Sequence, residues 1–558
     1  MNTINMKYLI YIIPLVLSLS TVQAQIIKQG DAPVFNHQDS LRGSITPARA
    51  WWDLLHYKLD ITVTPNDSSI RGTNTITYEV LEAAEIMQID LQPPMSITKA
   101  TQKGKELSFT RDGNAYFITL DKNQKKGKTE EITLTYGGQP RVAKNPPWDG
   151  GLTWSEDENG TPFIATSCQG EGASMWWPCK DHMYDEPDNG MDIIVTVPEN
   201  LFEVSNGRLI KIDENKADKT RTFHWQVKNP INNYGVNVNI GNYVHFGEVF
   251  NGEKGKLDCD YYVLEHHLEE AKEQFKDATR MLEAFEYWFG PYPFYEDSYK
   301  LVEVPYLGME HQSSVTYGND FHNGYRGRDL SLSGWGMKFD FIIIHESGHE
   351  WYANNITYKD IADMWIHESF TAYSENLFLN YYYGEKASEE YVLGTRSSIL
   401  NDRPMIGYYD VNYSGSGDMY YKGANMLHTL RQIVNDDLKW RNTLRGMNET
   451  FYHQTVTTKQ IEDFLSKKLG RNLQPFFDQY LRTVDIPILE YRLIGSKLMY
   501  RWSNTVSDFD MPVKVYINGK ENWIEPVTSW SSLEEVPEGA TVKIDKNFYI
   551  ATLDIMGK

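Results

Sequence analysis

The tightest constraint in this chain is the spacing of two histidines around a glutamate, His345-Glu346-Ser347-Gly348-His349. Side chains four apart share a face only on a helix, and Phe339 to Ala353 reads as a helix that stops at Asn354-Asn355. Both imidazoles can then aim a ring nitrogen at one point, the H-E-x-x-H arrangement that zinc accepts. A catalytic zinc has three protein ligands and leaves its fourth position to water. Glu346, one step round the helix from His345, can reach that water without occupying the metal. Glu368 follows nineteen residues after His349, on a second helical stretch beginning near Asp363, and is the natural third ligand. The competing reading is a buried histidine pair satisfied by backbone carbonyls. The carboxylate in register weighs against it, as do three further motifs.

The chain of 558 residues is long enough for several domains,. Apolar residues make up 41% and charged residues 23%, ordinary for a soluble globular protein,. With a net charge of −22 and no long basic run, nucleic acid is not an expected partner,. Residues 1–24 have the form of a signal peptide. Lys7 gives the positive end, Tyr8 to Leu19 the apolar core, and Val22-Gln23-Ala24 a small-residue cleavage site,. Cleavage near Ala24 exports the protein to the periplasm or the extracellular space; an uncleaved membrane anchor is the alternative. No later stretch approaches the roughly 20 apolar residues of a membrane span. Cys168, Cys179 and Cys259 allow one disulfide, and Cys168 with Cys179 could pair or could be small buried apolar residues,.

The texture of the chain changes twice. In the first part Tyr57, Leu59, Ile61 and Val63 alternate with polar residues. Ile132, Leu134 and Tyr136 do the same, as do Val236, Val238 and Ile240,. This predicts a largely antiparallel β domain over residues 25–250. After Gly255 helical spacing takes over, in His266 to Phe289, Lys338 to Ala353, Ser369 to Tyr383, Gly423 to Val434 and Thr458 to Leu469. Residues 251–485 are the expected zinc-binding catalytic domain. From Ile486 alternation returns, with Val513, Val515 and Ile517 running into Asn518-Gly519, a strong hairpin signal,. Residues 486–558 are expected to form a small β-sandwich. The fold class is therefore α+β and multidomain.

Around the histidines the sequence resembles a family. His349 is followed by Trp351-Tyr352-Ala353-Asn354, and Glu368 lies in Asp363-Met364-Trp365-Ile366-His367-Glu368-Ser369-Phe370-Thr371. Both segments resemble those of the gluzincin zinc aminopeptidases, the type that includes aminopeptidase N and the leukotriene-hydrolase aminopeptidases. Gly308-Met309-Glu310-His311 is similar to the family's G-x-M-E-N signature, with His311 for the usual Asn, which puts local strand contacts in doubt. Read without the family, Glu310 is an ordinary surface carboxylate. Gln169-Gly170-Glu171-Gly172-Ala173, running on to Pro178-Cys179-Lys180-Asp181, matches its Q-x-x-x-A…P-C-x-D segment. Trp176 and Trp177 beside it read as core packing. Tyr420-Tyr421-Lys422-Gly423 matches its Y-x-K-G, with Tyr421 expected to face elsewhere.

The resemblance implies a thermolysin-like, mostly helical catalytic domain with one Zn2+ per chain on His345, His349 and Glu368. It implies Glu346 as general base and Tyr420 as donor to the oxyanion. Gly308 and Met309 would lie along the substrate backbone, while Glu310 and Gln169 hold its protonated amine. The implied activity is hydrolysis of the N-terminal bond of peptides with a free N-terminus. Two other classes stay open: the same zinc site used as an endopeptidase or epoxide hydrolase, and a non-catalytic peptide-binding protein. The oligomeric state is not readable.

Overall fold

The computed structural model of the protein describes residues 33–122 and 124–555; the expected signal peptide lies outside them. Tyr57, Leu59, Ile61 and Val63 all point inward from the strand Trp52–Thr64. This strand lies inside an eight-stranded sheet, antiparallel to Ser69–Val80 and parallel to Met191–Pro198. Thr129–Gly138 carries Ile132, Leu134 and Tyr136 and pairs antiparallel with Ser69–Val80. Smaller sheets of four and three strands complete an N-terminal β region that is antiparallel apart from that one parallel ladder. The alternation at Val236, Val238 and Ile240 is a strand only over Asn239–Gly241. Before it the chain is irregular and buried, and side-chain amides replace the ladder. Asn206 donates to the Gly235 and Gln312 carbonyls at 2.8 and 2.7 Å, and Asn237 donates to the Ser314 carbonyl at 3.1 Å,.

The change to helix comes later than the sequence suggests. Gly255–Leu264 is a strand, paired over its whole length with Tyr243–Gly252, so the expected boundary at 250 falls within a hairpin. These two strands open a five-stranded sheet that continues through Tyr299–Glu303 and Val315–Tyr317 to Gly308–Met309 at its far edge. The helical reading of His266 to Phe289 divides at Phe275 into Leu268–Gln274 and Lys276–Phe289. The helix Trp365–Tyr383 runs through the middle, against Phe341–Gly348, Glu385–Gly394 and Tyr421–Val434. Fifteen of its nineteen residues are buried, so it shows no polar face,.

The C-terminal region is β, in sheets of four and three strands. Asn518 (φ 49°) and Gly519 (φ 79°) turn Val513–Ile517 back onto Lys520–Ile524, the left-handed pair that a two-residue hairpin requires,. Leu489, Trp502 and Val513 share one core with Leu427 and Phe477 of the helical region. Cys168, Cys179 and Cys259 are buried free thiols, so the disulfide alternative is not realised. Trp176 and Trp177 are fully buried.

Candidate active site

The histidine helix is shorter than its sequence pattern, Phe341–Gly348. Asp340 caps it, accepting from the Ile342 and Ile343 N–H groups at 3.0 and 3.3 Å,. Past His349 the chain widens into a π-type turn, Glu350–Asn355, broken at Tyr352 (φ −128°, ψ 74°). The break leaves the Tyr352 carbonyl to accept from His349 Nδ1 at 3.0 Å, and Thr371 Oγ1 lies 3.0 Å from the same ring nitrogen. His345 Nδ1 donates to Glu375 Oε1 at 2.7 Å, and Tyr391 donates to the other Glu375 oxygen at 2.5 Å. With each Nδ1 occupied, both rings present Nε2 as the free acceptor.

Glu368 Oε2 lies 3.8 Å from His345 Nε2 and 3.4 Å from His349 Nε2. That oxygen is buried and has no hydrogen-bond partner. Burial would raise the Glu368 carboxyl, but His349 and His345 hold it well below the usual range. An orphaned buried carboxylate oxygen is costly unless a cation satisfies it. Four tetrahedral ligands at zinc distances stand about 3.3 Å apart, so these atoms fit that ion. The same helix carries Glu368 and, seven residues on, Glu375, the partner of His345.

Gly308 and Gly423 let the surrounding elements close in. A Cβ on Gly308 would stand 2.6 Å from Ile342 Cγ2 and 3.3 Å from Glu346 Cγ, so only glycine brings this strand against the histidine helix,. A Cβ on Gly423 would stand 1.9 Å from Ser369 Oγ, which itself donates to the Met419 carbonyl at 2.7 Å. Glu310, next along the strand from Met309, is only 3% exposed. Its Oε1 accepts from Gln169 Nε2 at 2.6 Å and from the Tyr234 hydroxyl at 3.0 Å. Gln169 also reaches Glu368 Oε1 at 3.2 Å. Asn354, the last residue of the extended histidine motif, donates to the Glu310 carbonyl at 2.9 Å. Ligand atoms of Glu310, Glu346 and His349 come within 4.8 Å of one another, as do those of His345, His349 and Glu368. Burial raises the carboxyls of Glu310 and Glu346, and the charge of Glu310 raises Glu346 further,.

His311 turns away from this cluster. It is buried, and its Nδ1 lies 3.3 Å from Thr316 Oγ1 on the adjacent strand. Tyr420 precedes the helix Tyr421–Val434, and its ring lies 6.0 Å from that of His345. Burial, then the charges of Glu368, Glu310 and Glu346, push its phenol far up, which keeps it a donor. Tyr421 also lines the cleft, contrary to expectation; burial, then the charge of Glu375, raises its phenol. The cleft has a volume of about 380 Å³, and the nine candidate metal, catalytic and substrate-binding residues all line it, Gln169, Gly308, Met309 and Glu310 included. Sequence reasoning missed Glu375, Tyr391 and Tyr234. Glu375 had a signal, two helical turns from Glu368; Tyr234 had none.

Two imidazoles and a glutamate from a neighbouring helix, with a second glutamate between the histidines, define a gluzincin-type zinc peptidase. The peptidase M1 N-terminal domain model matches residues 54–234 and the peptidase family M1 domain model matches residues 273–480. Leukotriene A-4 hydrolase of Xenopus laevis is 22% identical over 444 residues, covering 74% of this chain and 67% of that protein. Aminopeptidase B of Mus musculus is 22% identical over 491 residues, covering 78% and 70%. An M1 zinc metallopeptidase of Deinococcus radiodurans, solved with a Tyr-Ser-Ala substrate, shares the fold at a TM-score of 0.64. It is 21% identical, over 79% of this chain and 96% of that one. The chain belongs to the M1 peptidase family, the gluzincin zinc aminopeptidases.

Proposed function

We propose that the protein is an exported aminopeptidase in which Glu346 is the general base, Tyr420 the oxyanion donor and Glu310 the anchor for the substrate's α-ammonium. His345, His349 and Glu368 would hold the zinc, which when bound would supply Lewis-acid chemistry at the scissile carbonyl and the attacking water. Glu346 accepts a proton from the attacking water and passes it to the leaving amine. The Tyr420 phenol, kept neutral by burial, donates to the oxygen on which negative charge develops. Gly308 and Met309 lie along the substrate backbone as an edge strand.

The observation that carries this reading is the tethering of Glu310. Gln169 and Tyr234 both donate to its Oε1, which fixes the carboxylate beside Glu346 and His349 and leaves the other oxygen for a cation. An anchor that close to the hydrolytic groups admits one residue before the scissile bond. An internal bond would set an amide against an uncompensated buried carboxylate, which is why the exopeptidase reading is favoured over an endopeptidase. Export rests on the basic, apolar and small-residue pattern of residues 1–24,. Among the described residues no helix is long and apolar enough to cross a membrane. The test is to follow one peptide in free and N-acetylated form by mass spectrometry. Stepwise loss of single N-terminal residues from the free form alone is expected; internal cleavage of both would refute the proposal. Protein confined to the cytosolic fraction with Met1 still at its N-terminus would refute export.

A further inference from the structure

Four carboxylates line the cleft, and the proposed mechanism uses three of them: Glu310, Glu346 and Glu368. The fourth is Glu171, two residues beyond Gln169. No lysine or arginine lines the cleft to answer it. The cation nearest in charge is Arg141, which is already paired with Asp149. One Glu171 oxygen is buried without any hydrogen-bond partner. Burial raises the Glu171 carboxyl, and the backbone N–H groups of Glu171 and Gly150 offset that only in part.

The backbone around Glu171 is held firmly. Its carbonyl accepts from Gln92 Nε2 at 2.7 Å, and the Gly170 carbonyl accepts from Asn412 Nδ2 at 3.0 Å. Gly172 N–H donates to the Cys168 carbonyl at 2.8 Å. Gly172 itself has φ 95°, and a Cβ there would stand 2.1 Å from the Arg42 guanidinium. These contacts fix the Glu171 backbone at the cleft wall.

Placement relative to the amine anchor sets what Glu171 can meet. Two residues of chain span at most about 7 Å, so Glu171 sits on the amine side of the cleft, beside the first substrate residue. A lysine or arginine side chain covers that distance from its own α-carbon. Trp148 lines the same cleft with 57% of its surface exposed, an aromatic face open to a cation,. Met309 and Met364 give the aliphatic stem of such a side chain an apolar wall,.

Resting on the aminopeptidase reading above, we propose that Glu171 and Trp148 form the pocket for the first side chain and select a basic residue, lysine or arginine, at the substrate N-terminus. Lysine and norleucine share a four-carbon stem and differ in the terminal charge, so the pair isolates the carboxylate's effect. The experiment compares kcat/KM for lysyl and norleucyl chromogenic amides with the zinc-loaded enzyme, in wild type and in Glu171→Gln. Wild type is expected to favour the lysyl substrate by about tenfold or more. Glu171→Gln should bring the ratio close to one, through loss on the lysyl substrate, and high salt should shrink the wild-type ratio. Trp148→Ala, a change at an exposed position, should lower the same ratio and keeps the test alive if the loop variant does not fold. A wild-type preference for norleucine, or equal losses on both substrates in both variants, would overturn the inference while leaving the aminopeptidase intact. No turnover of either free-amine substrate would overturn both.

Discussion

Removing the carboxylate of Glu375 should loosen the metal without touching it. His345 Nδ1 donates to Glu375 Oε1 at 2.7 Å, and Tyr391 donates to the far oxygen at 2.5 Å, all in a fully buried setting. Glu375→Gln keeps an acceptor for the imidazole but loses its charge, and charge-assisted hydrogen bonds are about twice as strong as neutral ones. The net loss is about 1 kcal/mol, a weakening of zinc binding of roughly fivefold. Glu375→Ala strands two buried donors, each costing about 1–3 kcal/mol, and frees the His345 ring to rotate. Its zinc affinity should fall about a hundredfold, the upper range for losing a ligand's hydrogen-bond partner. Tyr391→Phe breaks only the outer link and should cost less than Glu375→Gln. Competition against a chromophoric chelator at fixed pH gives the three affinities, with circular dichroism confirming the fold. Wild-type affinity in Glu375→Ala would refute the reasoning, since His345 would then need no partner to be a ligand.

Other changes reach the remaining parts of the site. Glu346→Gln should keep zinc and fold but lose nearly all turnover, because an amide cannot accept the proton of water; retained kcat would exclude it as base. Tyr420→Phe should lower kcat about a hundredfold with little change in KM, while Tyr421→Phe stays near wild type. The reverse result would move the oxyanion donor by one residue. Gly423→Ala forces a methyl against Ser369 Oγ, so melting temperature and kcat should both fall,. Ser369→Gly in the same chain should restore part of each, and absence of any rescue would show that the clash is elsewhere.

Much of the site was legible because its chemistry is written in short spacings. His345 and His349 share a helix turn, and Glu368, Glu310, Gln169 and Tyr420 each stand in a motif of a few residues. The structure brings all of them into one cleft. The Asn518-Gly519 hairpin was legible for a similar reason, a local conformational requirement met by two residues. What escaped was set by distant partners. Tyr234 reaches Glu310 from an irregular segment whose valines alternate as a strand would, while asparagine side chains do the hydrogen bonding. The sheet built on Tyr243–Gly252 and Gly255–Leu264 takes its next two strands from residues 299–303 and 315–317, too short to announce themselves. The histidine helix ended early because the Tyr352 carbonyl turns to His349, a demand of the site rather than of helix propensity.

The central claim is that Glu310 reads a free α-amine, and one ratio measures it: kcat/KM for a free peptide over that for its N-acetylated form, in wild type and in Glu310→Gln. A buried carboxylate facing an ammonium is worth about 2–5 kcal/mol when its partner is removed, thirtyfold or more. The account predicts a large wild-type ratio that collapses in Glu310→Gln by at least that factor, through loss on the free peptide alone. A wild-type enzyme that cleaves both peptides equally, or a Glu310→Gln variant that keeps the wild-type ratio, would contradict it.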